Sequence, residues 1–361
     1  WAYSPSGDGM FCVAIVPHED IIADAARAGD VIVDMTDTIL VGSGAFLLVV
    51  VLLAAGFAIR RSRQLSQPVR QLADAAGRLA AGDHHTRVEL HTGDELETLG
   101  GTFNEIGPKL HERERIKRSL ELAKDIQQHL LPQQAPQLTG FDIAGRSIYC
   151  DETGGDYYDF IDLVDLGSDK VGIAVGDITG HGIGAALLMA SARAVLRSHA
   201  VQYGKRLADL FTDINEHLVR DTGDERFITL FYGVLDAADR SLRWTSAGHD
   251  PALWRHAATG QIEELDNTGL LMGALAGVTY QDAGPVFFQT GDVLVIGTDG
   301  IWEARNPAGE LFGKDRLREV VQAHAEQSAG DIFDAIVAAV RGFRDTHPQE
   351  DDVTLVVIKT T

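Results

Sequence analysis

Val171–Met189, VGIAVGDITGHGIGAALLM, is the stretch whose reading decides the fold. Val171, Ile173 and Val175 alternate as a half-buried strand does, and from Ile183 to Leu196 the apolar residues continue as a helix, with glycines between the two. Such a strand–turn–helix unit holds an acid, here Asp177, at the rim of a packed core. The same grammar recurs in Asp292–Glu303, DVLVIGTDGIWE, where the run Val293–Ile296 ends at Asp299 and Gly300. Asp156 lies in Gly154–Phe160, GGDYYDF, and the pair Asp351–Asp352 opens the run Val353–Ile358. Acids so far apart along the chain meet only through the fold, and together they are costly unless cations neutralise them.

Outward from this stretch, Phe227–Val234 and Ser241–Ser246 flank the polar loop Asp236–Asp239 as an antiparallel hairpin. Helical patterns cover Ile183–His199, Leu207–Leu218, Lys314–His324 and Ile332–Phe343. Hairpins and helices in blocks, without strict strand–helix–strand alternation, predict an α+β fold with antiparallel sheets over residues 140–361.

The whole chain has 361 residues, 45% of them hydrophobic and 23% charged, with a formal net charge of −22. That balance argues against nucleic acid as a partner, because phosphate backbones call for a basic face. A first residue of Trp rather than Met leads us to expect a longer natural protein. Residues 38–59 contain no charge, and at about 1.5 Å per residue they reach roughly the 30 Å of a hydrocarbon core, which predicts a transmembrane helix. Arg60, Arg61 and Arg63 follow it, whereas the segment before it is acidic. The positive-inside rule then places residues 1–37 outside the plasma membrane and the C-terminal bulk in the cytoplasm, so Cys12 and Cys150 cannot pair.

Before the membrane, Met10–Val16 reads as a strand, Pro17–Glu19 as a turn, and Ile21 onward as a helix. This pattern resembles the C-terminal end of an extracytoplasmic Cache-type sensor domain. Beyond the membrane, Pro68 is expected to start an amphipathic helix, and Asp94–Glu95 a second one with Leu96, Leu99, Phe103, Ile106 and Leu110 at coiled-coil spacing. These residues make 60–110 similar to HAMP signal-relay domains, which implies a dimeric four-helix bundle. Gly107–Pro108 is expected to kink the exit helix. A coiled-coil linker is expected over 111–135, with its stripe at Ile116, Leu120, Ala123, Gln127 and Leu130.

Carboxylates and backbone oxygens are the donor set of Mg²⁺ or Mn²⁺, and no Cys/His spacing points to zinc. Gly154–Asp156, Gly176–Gly182, Ala247–His249 before Pro251, Thr298–Gly300 and Asp351–Thr354 together resemble the ordered motifs of stage II sporulation protein E-like phosphatases, the bacterial branch of the PPM (type 2C) serine/threonine phosphatases. The resemblance implies an antiparallel β-sandwich flanked by helices, with two Mn²⁺ or Mg²⁺ ions at one end. It implies Asp156, Asp177, the backbone carbonyl of Ile178, Asp299 and Asp351 as ligands, with Asp352 as the alternative to Asp351, and a metal-activated water as the nucleophile.

The same resemblance implies a phosphoserine or phosphothreonine substrate on a STAS-type anti-sigma-factor antagonist. His181 is the candidate to protonate the leaving oxygen, although the eukaryotic pattern has its histidine where Thr179 stands. The phosphate-binding arginine of that pattern has no counterpart here; Arg146 is near in sequence only, and His249 is as well explained by its turn. Three rival readings are a diguanylate cyclase, which lacks its Glu-Phe after GGD, a sensor histidine kinase, which lacks its Asn motif, and a non-catalytic partner-binding scaffold.

Overall fold

The computed structural model describes residues 3–5, 11–13, 17–151, 153–166, 169–180, 182–204, 206–221 and 226–361. The chain divides into two compact units, Trp1–Glu114 and Arg115–Thr361.

In the first unit, β1 (Tyr3–Pro5) pairs antiparallel with β2 (Phe11–Val13). The rest of the strand expected over Met10–Val16 lies outside the described residues, as does the Cys12 side chain. Helix α1 then runs from His18 to Ala80, beginning where a turn was expected over Pro17–Glu19. It is long and apolar enough to cross a membrane. Pro68 lies inside α1 instead of starting a helix, and its ring is buried. A proline costs one backbone hydrogen bond and crowds the carbonyl four residues earlier, and burial of the ring offsets that cost here.

Ala75 and Leu72 of α1 form a small core with Val88, Leu90 and Phe103. Helix α2 (Glu95–Leu130) carries Asn104, whose amide accepts from the Val88 N–H at 2.9 Å and donates to its carbonyl at 2.8 Å. The expected kink is not a break, because α2 continues through Gly107 and Pro108. Gly107 serves close approach: a Cβ there would stand 2.7 Å from the carbonyl oxygen of His84.

The second unit is a sandwich of two five-stranded antiparallel sheets. Its strands are β3 (Phe141–Ile148), β4 (Tyr157–Asp162), β5 (Lys170–Ile178), β6 (Ile228–Asp236), β7 (Ser241–Ala247), β8 (Ala252–Arg255), β9 (Ile262–Leu265), β10 (Ala283–Phe287), β11 (Val293–Gly297) and β12 (Val353–Thr360). One sheet has the order β10-β7-β6-β5-β4 and the other β3-β12-β11-β8-β9. Helices α3 (Ile183–Tyr203) and α4 (Leu207–Asp221) pack on the first sheet, and α5 (Gly313–His324) and α6 (Ala329–Arg344) on the second.

Side-chain alternation explains why these strands read as unbroken apolar runs. Leu294, Ile296, Val356 and Ile358 join Tyr158, Phe160 and Val175 in the core between the sheets. The intervening Val293, Val295, Leu355 and Val357 pack with Leu317, Val321, Ile332 and Ile336 of α5 and α6. With both faces covered, neither set needs polar residues.

Candidate active site

The two sheets place the acids by register. Tyr157 pairs with Gly176, so the next positions along the ladder oppose Asp156 to Asp177 at the end of the first sheet. In the second sheet Gly297 pairs with Leu355, and the Thr298 N–H extends the ladder to the Thr354 carbonyl at 3.0 Å, which carries Asp299 and Asp351–Asp352 to the same end. One hydrogen bond closes the gap between sheets: the Thr298 hydroxyl donates to Asp156 Oδ2 at 2.7 Å. The Thr298 oxygen also accepts the Thr354 N–H at 3.1 Å.

The acids act on one another. Burial holds the carboxyl of Asp156 well above the usual range, with Asp177 and Asp352 adding to the effect and Thr354 and Thr298 opposing it. Asp177 is pushed up to about 7, first by burial and then by Asp299, Asp351 and Asp352. Asp299 is pushed up to about 6 by burial, Asp351, Glu303 and Asp250. The charges that act most strongly on all three are carboxylates, so the cluster draws its neutralisation from protons or from an external cation.

The donor chemistry fits a hard cation. Beside the carboxylates, a Cβ on Gly155 would stand 2.5 Å from the Ile178 carbonyl oxygen and 3.0 Å from that of Gly180, so only glycine admits these oxygens there. At Gly300 a Cβ would strike the Asp352 carbonyl. Among the described residues, however, no three acidic, imidazole or thiol side chains are closed around one point at ligand distance. The acids gather at one end of the sandwich without forming a finished cage.

Asp351 and Asp352 occupy different places. Asp352 is buried and its Oδ1 accepts the Cys150 N–H at 2.8 Å, while Asp351 is exposed and its Oδ1 accepts the Asp352 N–H at 2.8 Å. Asp352 acts on Asp156 and Asp177, and Asp351 acts on Asp177 and Asp299. His181 lies outside the described residues. His249 is buried, its Nδ1 stands 3.1 Å from the Thr229 hydroxyl, and burial pushes its pKa down to about 4, which makes it a neutral core group. Arg146 is engaged elsewhere, 4.0 Å from Asp334 and stacked on Phe333.

Four residues of this site were not singled out by pattern. Thr298 and Thr354 bind the acids, Glu303 follows Asp299 by one turn with its N–H on the Asp299 carbonyl at 2.8 Å, and Asp250 reaches Asp299 from the turn after β7 while paired with Lys314. The TDG, AGHDP and DDVT motifs contained three of them, Thr298, Asp250 and Thr354; for the two threonines the signal was a hydroxyl within three residues of a strand-end acid.

The comparisons with known proteins agree with this fold. The family described as stage II sporulation protein E (SpoIIE) matches residues 167–361, and the HAMP domain matches residues 61–107. Phosphoserine phosphatase RsbU of Bacillus subtilis is 27% identical over 247 residues, which cover 68% of this chain and 71% of that protein. Protein IcfG of Synechocystis is 29% identical over 328 residues, 81% of this chain; the match spans only about half, 51%, of that relative's length. The SiaA-PP2C domain of Pseudomonas aeruginosa superposes with a TM-score of 0.58 at 23% identity, covering 69% of this chain and 99% of that one, so the sandwich is a PP2C fold. In that fold GGDYYDF leads into β4, which leaves the cyclase reading without structural support. With more than half of its residues matched, the chain belongs to the stage II sporulation protein E (SpoIIE) family.

Proposed function

We propose that the chain is a membrane-anchored, signal-regulated protein-serine/threonine phosphatase that hydrolyses phosphoserine or phosphothreonine with the help of Mn²⁺ or Mg²⁺. The observation that carries this reading is the convergence of Asp156, Asp177, Asp299 and the Asp351–Asp352 pair at one end of the sandwich, tied across the sheets by Thr298. Asp156, Asp177, the Ile178 carbonyl, Asp299 and Asp351, or Asp352 in its place, would hold two ions. When bound, such ions supply charge for the phosphoryl oxygens and lower the pKa of water. Thr298 orients Asp156, and the Cys150 N–H orients Asp352. His181 is the residue proposed to return a proton to the leaving oxygen.

The name of RsbU, a phosphoserine phosphatase, supports a phosphoprotein substrate, and we assign it to a STAS-type anti-sigma-factor antagonist in a partner-switching circuit. The apolar span 38–59 anchors the chain, with the Cache-like segment 1–37 outside the cytoplasm and the phosphatase domain, 140–361, within it. The HAMP relay, 60–110, and the linker, 111–135, carry the signal in a homodimer. Phosphate release from p-nitrophenyl phosphate and from a phosphoserine peptide tests the chemistry, with Mn²⁺, Mg²⁺ or EDTA. Metal-dependent release abolished by Asp177→Asn supports it; release in EDTA, or full activity of the variant, overturns it.

A further inference from the structure

Just past the apolar span, α1 and the segment that leads into α2 enclose a cavity of about 350 Å³, at the small end of ligand-sized sites. Arg61 and Arg63 line it from the helix, and Glu89 and Asp94 from the segment, beside the buried Leu90. Opposite charges facing one small space ordinarily close on each other. Here they are held apart: among the described residues, no ion pair engages Arg61, Arg63 or Glu89. The Asp94 Oδ1 is used within its own turn, where it accepts the Leu96 N–H at 3.0 Å and the Thr92 hydroxyl.

The place of the cavity along α1 says where its occupant comes from. The charge-free run ends at Ile59, so at about 1.5 Å per residue Arg61 and Arg63 stand about 3 and 6 Å beyond it. The headgroup layer of a bilayer reaches roughly 5–7 Å past the hydrocarbon on each side. Arg61 also folds back toward the apolar run, its guanidinium 5.8 Å from the centre of the Phe57 ring. Both arginines therefore lie at the depth of lipid phosphates. Glu89 lies on the far side, because it also lines a neighbouring cavity with Asp74 and Arg78, further along α1. Positive charge at phosphate depth and negative charge beneath it is the reverse image of a zwitterionic headgroup.

We infer that this cavity binds the headgroup of phosphatidylethanolamine, with Arg61 and Arg63 on the phosphodiester and Glu89 on the ammonium group. This rests on the membrane-anchored reading above. A guanidinium presents paired N–H donors that match phosphate oxygens, and basic pockets at the cytoplasmic membrane face take lipid headgroups in this way. The selectivity lies at the other end. A primary ammonium donates hydrogen bonds to a carboxylate, whereas a choline group carries only methyls and a glycerol group brings no positive charge. Asp94 adds negative charge to the same wall. The bound lipid thus joins α1 to the Glu89–Asp94 segment where no ion pair of the chain does so.

The test titrates the delipidated full chain, in neutral detergent micelles, with phosphatidylethanolamine, phosphatidylglycerol and phosphatidylcholine of the same acyl chains, and counts bound lipid by native mass spectrometry. Losing a hydrogen bond between charged groups weakens binding about tenfold or more, so phosphatidylethanolamine should bind about tenfold more tightly than either other lipid. Glu89→Gln should erase the preference over phosphatidylglycerol, and Arg61→Gln combined with Arg63→Gln should weaken phosphatidylethanolamine about tenfold or more. Arg60→Gln, a neighbour outside the lining, should change neither. Residues 61, 63 and 89 are exposed, so these substitutions leave the small core around Leu90 intact. Equal binding of the three lipids, wild-type preference in the Glu89 or double-arginine variant, or an Arg60 effect as large as that of the double variant overturns the inference. Soluble glycerophosphoethanolamine bound as tightly as the lipid would give the cavity to a free phosphodiester and overturn the lipid source. A chain that stays in solution without detergent overturns the membrane reading itself, a result distinct from a detergent-requiring chain with no lipid preference.

Discussion

Asp177 is where stability and function oppose each other most directly. Its carboxyl rises from 3.8 to about 7 in the folded protein, and that of Asp299 to about 6. Between those limits the folded state binds more protons than the unfolded one, so stability falls as pH rises, and the loss is complete only above the folded value. Without metal, the melting temperature should therefore decline from about pH 4 through pH 7, with the titration of Asp156 adding to the loss. Mn²⁺ must displace these protons, so its affinity should climb over the same window. Asp177→Asn removes one mutually repelling charge; thermal melts at pH 8 without metal should show it more stable than the wild type, with Mn²⁺-dependent stabilisation lost. A wild-type melting temperature that rises toward pH 8 in EDTA would contradict the assigned burial of these acids. Thr298→Val tests the bond between sheets: it removes one of the two threonine partners of Asp156 and the hydroxyl that accepts the Thr354 N–H, at a cost of about 1–3 kcal/mol in urea unfolding, whereas Thr298→Ser should retain most of it.

Among the elements, β4 and α3 are joined by a buried charge. Asp159 is fully buried; both its oxygens take 2.6 Å bonds from Arg197, Tyr157 donates to it at 2.9 Å, and Arg193 stands 3.6 Å away. Because β4 follows Asp156 and α3 follows Asp177, this pair fixes the two strand ends that carry the acids. Arg197→Met should cost about 3 kcal/mol, near the low end for breaking a buried pair because Arg193 and Tyr157 remain. Asp159→Leu together with Arg197→Met should recover much of that loss in the same unfolding assay; a double variant as unstable as the single one would show that the cost lies in packing. At this scale the limits of sequence pattern are visible. Asp156, Asp177, Asp299 and Asp351–Asp352 could be found because each stands at the end of an apolar run, a local signal. Asp159 could not, because its partner is 38 residues away and it does not end a run that marks it. Pro68 and Gly107–Pro108 misled for the converse reason: a local cost of proline argues for a helix end, and packing around a buried ring and a close carbonyl overrides it.

For the whole molecule, the open question in the first unit is what covers its remaining apolar surface. Leu99, Ile106 and Leu110 are 52%, 42% and 41% exposed, although they are spaced by seven and four residues as a coiled-coil seam requires, and Phe103 between them is already used against Val88 and Leu90. A seam of this kind on a soluble helix buries itself only against another helix, and a second copy of the same chain supplies one with matching spacing. We therefore expect the full chain in detergent to be dimeric by sedimentation equilibrium at micromolar concentration. Ile106→Glu would place a charge in the middle of the seam while leaving the Ala75–Val88–Leu90 core untouched, and it should shift the protein to monomer. A variant that stays as dimeric as the wild type would move the dimer contact away from this seam, and a monomeric wild type would overturn the proposed homodimer.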